Sequence, residues 1–202
     1  MLKLYQPTPI DVATQLVLDN VAAIDRSKHW ERKTNAVKNF KMLVSEYGMI
    51  TQDNRCIWCT LKIGSEGRRT AHRDHIAPKK LYPQWTFHSA NIVLACEYCN
   101  GFSVKVDLDT INIPNPIYHM IDFHIVHPYY DNPSVHLTFL EENNCGSVVI
   151  QGLSAKGTWT ILNMKLDAPG LTQERAKDLV FARTFNKLPE HFKLLLTQAT
   201  AG

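Results

Sequence analysis

Apolar positions recur at helical spacing early in the chain, where Val12, Leu16, Val17, Val21 and Ile24 fall on one face of the segment 9–26. That spacing predicts an amphipathic helix with Asp11 near its acidic start. A second helix is expected over 27–47, with Trp30, Val37, Phe40, Met42, Leu43 and Val44 as its apolar positions and Gly48 as its stop. Both read as scaffold packed on a core that follows. From 54 to 109 the elements shorten. Pro114, Pro116, Pro128 and Pro133 then punctuate a loop-rich stretch after Ile111. Strand-like patterning returns over 136–140 and 147–151 around a turn at 142–146, with a further short strand over 159–164, which together predict a small antiparallel sheet. Two closing helices are expected over 171–185, entered through Gly170 or Thr172, and over 190–197.

This pattern gives an α+β fold class in three stretches. An N-terminal helical segment (1–50) packs on a core (51–110), and a strand and helix extension (111–202) completes one body. The 202 residues suffice for one well-buried domain, and a makeup of 45% hydrophobic and 20% charged is ordinary for a globular chain. A net charge of +3 is compatible with a polyanionic partner without requiring one. No basic stretch leading into an apolar run opens the chain, and no run approaches membrane-spanning length, so a cytoplasmic location away from membranes is expected.

The cysteines change the picture. Four of the five form two CxxC pairs, Cys56 with Cys59 and Cys96 with Cys99, leaving Cys145 over. Two matched pairs supply the four thiolates that tetrahedral zinc takes at a closed structural site, and each pair can fold as a knuckle that presents both sulfurs to one ion. Cys145 reads as a loop or core thiol.

Between the pairs lie Asp74, His75, Ile76, Ala77 and Pro78, then Asn91 ahead of the apolar run 92–95, then Cys96 to Asn100. The layout suggests a two-strand hairpin entering a helix. Neighbours on a strand start toward opposite faces, which separates the roles of Asp74 and His75. Phosphodiester hydrolysis needs a base to deprotonate water and a cation to meet the developing negative charge. The imidazole of His75 suits the first task at neutral pH. Asp74 and Asn100 supply oxygens that suit Mg2+ or Mn2+. Asn91 is placed to fix the loop or to orient the His75 ring. Arg68, Arg69, Arg73, Lys79 and Lys80 surround these residues, and Arg73, Lys79 and Lys80 are the candidate phosphate contacts. His119, His124, His127 and His136 match no metal-ligand spacing and are assigned to packing and surface.

A CxxC, then DHIxP, then an Asn before an apolar strand ending in CxxCN resembles the HNH, or ββα-metal, nuclease superfamily in its zinc-stapled form, over 56 to about 105. The resemblance implies that Asp74 and Asn100 are metal-binding positions, His75 the general base and Asn91 the Asn that supports the base. Asn100 stands where many members carry a third His, which suits an all-oxygen Mg2+ or Mn2+ shell. Relatives often place a Lys closer to the Cys-Asn pair than this chain does over 101–105. A narrower resemblance, to PtuB-type HNH proteins of bacterial Septu and retron anti-phage systems, takes in 80–83 to Phe87, Asn91 to Asn100, the run 127–133, the run 156–160 and 171–175. It implies a PtuA-like ATPase partner, with or without retron components, and defence by cutting DNA or RNA. The competing readings are a zinc-stabilised nucleic-acid-binding module and an interaction subunit whose nuclease-like centre is silent without a partner.

Overall fold

The protein was analysed as a computed structural model that describes residues 1–66, 69–101, 104–105, 108–140 and 148–200. Helix α1 (Val12–Asp19) begins at Asp11, whose carboxylate accepts from the Thr14 amide at 2.8 Å. Its buried positions are Thr14 and Leu18. Val12, Leu16 and Val17, the face the pattern assigned to the core, are exposed. The helix is only two turns long, and it docks through Leu18, which is fully buried, and through polar contacts: Asn39 donates to Asp11 at 2.8 Å and to Thr14 at 2.7 Å.

The expected long second helix is two helices. After a short α2 (Arg26–His29), Thr34 caps the Val37 amide and opens α3 (Asn35–Thr51). Val37, Phe40, Val44 and Gly48 form its buried face. Gly48 does not stop this helix. A Cβ there would sit 2.8 Å from Leu94 Cγ, so the glycine is what lets α3 lie directly on the strand behind it.

That strand is β2 (Ile92–Cys96), which pairs antiparallel with β1 (Ala71–His75), Asp74 opposite Val93 and His75 opposite Ile92. Buried Gln52, at the end of α3, closes the free edge of β2: it accepts from the Leu94 amide and donates to the Leu94 carbonyl, both at 2.8 Å. One apolar cluster (Leu18, Trp30, Val37, Phe40, Phe87 and Ile92 among its members) fills the space between the N-terminal helices and this hairpin. A larger cluster on the hairpin's other side runs from Ile57 and Trp58 through Tyr118 and Ile125 to Met164 and Leu171.

The hairpin does not enter a helix among the described residues. From 97 to 101 and at 104–105 the chain turns, with the Asn100 amide bonded to the Cys96 carbonyl and the Lys105 amide to the Gly101 carbonyl.

Beyond it, β3 (Ile111–Ile113) pairs with β4 (Asp122–Phe123), neither of them anticipated. Asn132 caps α4 (Pro133–His136), and β5 (Leu137–Leu140) forms an antiparallel pair with β6 (Val149–Gly152). The turn expected at 142–146, with Cys145, lies outside the described residues.

The expected strand over 159–164 is helical: α5 (Ala155–Met164) starts at Ser154, whose hydroxyl accepts from the Gly157 amide at 3.1 Å. Its buried residues Gly157, Thr160, Ile161 and Met164 keep helical spacing, and a Cβ on Gly157 would meet the His136 carbonyl. The closing helices are α6 (Pro169–Lys187), which starts at a proline ahead of Gly170, and α7 (Glu190–Thr200). No described helix is long and apolar enough to cross a membrane.

Burial pushes the His127 imidazole well below its ordinary value, with Lys156 the next cause. Below about pH 6.5 the unfolded chain therefore takes up a proton that the folded chain refuses. The stability tied to the neutral ring is full above that pH and is lost as pH falls. His127→Gln removes this dependence, so the gap between wild-type and variant urea midpoints should narrow from pH 7 to pH 4, at up to about 1.4 kcal/mol per pH unit.

Candidate active site and metal centre

The four CxxC sulfurs meet. Cys56, Cys59, Cys96 and Cys99 are all buried, with their ligand atoms within 4.8 Å of one another. Cys59 Sγ and Cys96 Sγ are 3.8 Å apart. That is too far for a disulfide, and it is close to the edge of a tetrahedron built on Zn–S bonds of about 2.3 Å. The two knuckles share one turn: the Thr60 amide bonds to the Cys56 carbonyl at 2.9 Å, and the Asn100 amide to the Cys96 carbonyl at 3.0 Å. The Cys99 amide points at Cys96 Sγ at 3.5 Å. Burial pushes the Cys56 thiol well up, and a bound cation would favour its thiolate. The donor set fits a structural metal such as zinc.

Each knuckle also delivers something to the cleft beside it. From the first, Trp58 Nε1 donates to Asp74 Oδ2 at 2.7 Å. From the second, Asn100 follows the last ligand directly, and its knuckle amide bond fixes where it stands. Asp74, His75, Pro78, Lys79, Lys80, Asn100 and Lys105 line one cleft of about 180 Å3.

The two strand neighbours separate as expected. Asp74 turns toward Trp58, while the His75 ring packs edge-on against Trp30 with centroids 4.5 Å apart. His75 Nε2 lies 3.1 Å from the Thr86 carbonyl. A carbonyl only accepts, so Nε2 carries the proton and Nδ1 keeps the lone pair. Burial, reinforced by Lys79, lowers this ring to about 3. It is therefore neutral at physiological pH. An anionic phosphate in the cleft would stabilise the imidazolium and return the ring toward its ordinary range.

Asn91 does not touch His75. Fully buried, it accepts from the Ala77 amide at 2.7 Å and donates to the carbonyls of Ala77 and Trp85 at 3.1 and 3.0 Å. It holds the loop whose next carbonyl, Thr86, holds the imidazole. Of the two roles open to it, loop fixation is the one its contacts describe. A string of donors stands behind it. Tyr129 N–H reaches His127 Nδ1 at 3.3 Å, His127 Nε2 lies 3.1 Å from the Tyr118 hydroxyl, and that hydroxyl donates to Asn91 Oδ1 at 2.8 Å.

The basic residues disperse. Lys79 bonds to Glu31 and lies 6.0 Å from the Trp30 ring. Lys80 is exposed at the cleft rim. Arg73 turns to α3 and donates to Ser45 at 2.7 Å, and Arg69 pairs with Glu174 at 3.6 Å on the α6 side. Arg68 lies outside the described residues. The four histidines do not converge: His124 stacks on Trp159, His127 is buried on Tyr118, and His136 bonds to Ser154.

Lys105 was not among the expected site residues. It is 6% exposed against 2% for Asp74, and its Nζ stands 3.0 and 3.1 Å from the two Asp74 oxygens. No local pattern marks it: its partner is 31 positions away, and a lysine in a polar turn ordinarily faces water. The oxygen chemistry of Asp74 and Asn100 suits a hard divalent ion, but as arranged there is no place for one beside this ammonium. A divalent ion about 3 Å from Nζ would meet a repulsion on the order of 10 kcal/mol even at an effective dielectric of about 20.

No protein-family model matches the chain, and no curated protein matches it.

Zinc analysis of the purified protein should find one ion per chain. Cys96→Ser should lose it and unfold at lower temperature, because the metal's binding free energy, roughly 10 kcal/mol or more at such sites, is folding free energy. Full zinc content and an unchanged melting temperature in that variant would sink the staple.

Proposed function

We propose that the chain is an HNH-type endonuclease that hydrolyses nucleic-acid phosphodiester bonds, with His75 as general base. One observation carries the reading: Asp74, His75 and Asn100, picked out by motif, line a single cleft with Lys79 and Lys80, next to the cysteine cluster. His75 Nδ1 is the atom that takes a proton from the attacking water, while the Thr86 carbonyl keeps the ring in the tautomer this requires. Lys79 and Lys80 neutralise the substrate phosphate and give a grip on the backbone that does not depend on sequence. The expected Mg2+ or Mn2+ would be held by Asp74 and Asn100. In the arrangement described, Lys105 engages Asp74 in its place.

The narrower part of the proposal is a nuclease subunit of an anti-phage complex with a PtuA-like ATPase, with or without retron components. Exposed Val180 and Phe181 on α6, and Phe192, Leu194 and Leu195 on α7, support a protein partner, since apolar area of this kind on a chain's surface marks contact sites. A second reading, a zinc-stabilised nucleic-acid-binding or interaction subunit without cleavage, is favoured by the same Lys105 contact, which leaves the cleft's carboxylate already paired.

The two separate in a cleavage assay on plasmid DNA, single-stranded DNA and RNA, with Mg2+ or Mn2+ and with any co-purifying partner. Cutting should fall by about 10²–10⁴-fold in His75→Ala while zinc content stays put and the fold survives, its melting temperature lowered only by the lost packing on Trp30. Cutting that persists in His75→Ala would remove the base assignment, and no cutting under any condition would favour the binding reading.

A further inference from the structure

The Lys105 ammonium has the surroundings of a bound cation. Besides the two Asp74 oxygens, it meets the carbonyl oxygens of His75 at 2.9 Å and Ile76 at 3.4 Å. A carboxylate flanked by main-chain carbonyls is the oxygen set a hard divalent ion takes. The Trp58 ring lies 5.3 Å from Nζ on the far side, adding a further attraction for positive charge. Asp74 is buried, so it needs a compensating charge at all times. Lys105, in contact with both of its oxygens, supplies it.

We propose that Lys105 is a built-in competitor for the divalent-cation position, so that a metal would load there only when the ammonium leaves Asp74. This rests on the reading of Asp74 as a metal ligand. The exchange conserves what the interior requires, one cation on the carboxylate before and after, and the four-carbon stem lets the lysine withdraw into the adjoining cleft without moving the hairpin. The protein thereby sets a threshold: an ion must out-compete a tethered charge before the cleft can act on a phosphate.

Mn2+ alone is the probe, titrated calorimetrically into zinc-loaded full-length protein. Lys105→Met removes the competing charge at similar volume and should bind Mn2+ at least about tenfold more tightly than wild type. The added Mn2+ should also raise its melting temperature more than it raises that of wild type. Asp74→Asn combined with Lys105→Met should lose the gain. Wild-type protein supplies a measurement independent of any folding defect: amine labelling read by mass spectrometry should leave Lys105 protected without Mn2+ and modify it several-fold more once Mn2+ saturates. Equal Mn2+ affinity in wild type and Lys105→Met, or Lys105 labelling indifferent to saturating Mn2+, would overturn the competitor while leaving the metal reading of Asp74 standing. No Mn2+ binding by either protein would overturn both.

Discussion

Four buried sulfurs drawn within 4.8 Å of one another, a donor set that could hold a structural metal such as zinc, organise the half of the molecule that bears the cleft. The first knuckle places Trp58, which donates to Asp74. The second places Asn100 one residue past its last ligand. Ile57, inside the first knuckle, bonds to the Leu94 carbonyl and so ties the centre to the middle of β2. A metal held here would do more than substitute for apolar core: it would set the separation of two segments, some 40 positions apart in sequence, that jointly form one wall of the cleft.

The other wall is held without metal. The N-terminal helices bring Trp30 against the His75 ring, and α3 reaches β2 closely because Gly48 has no side chain to keep it off Leu94. The cleft therefore lies between two differently stabilised halves, one stapled by sulfur and one packed by aromatic contact. His75 and Asp74 belong to adjacent positions on one strand but answer to different halves.

What was legible in the sequence follows from how local each signal is. The cysteine pairs, the Asp-His pair and the two asparagines are specified by spacing, and the structure brings the cysteines into one cluster and Asp74, His75 and Asn100 to one cleft. Helix α3 was visible because its buried face keeps a regular period, whereas its start was blurred by the apolar Trp30 just ahead of the Thr34 cap. The stretch 159–164 looked like a strand because Trp, Thr and Ile favour strands, and the Ser154 cap that decides otherwise lies outside that window. On α1 the apolar residues gave the wrong face, since a two-turn helix held by hydrogen bonds from Asn39 has no need to bury them. Lys105, Tyr118 and Thr86 were illegible for one reason: each acts through a partner distant in sequence, and nothing beside it announces burial.

The string from Tyr129 through His127 and Tyr118 to Asn91 runs in one direction. Each member donates forward and accepts from behind, so the Asn91 amide has a single orientation available. Turned over, its oxygen would face two carbonyls and its nitrogen an amide and a hydroxyl that both need acceptors. The loop from Ala77 to Trp85 is thus committed to one shape by groups contributed from the far side of the chain. A ligand entering the cleft would meet a floor ordered in advance, and none of its binding energy would go into ordering that loop.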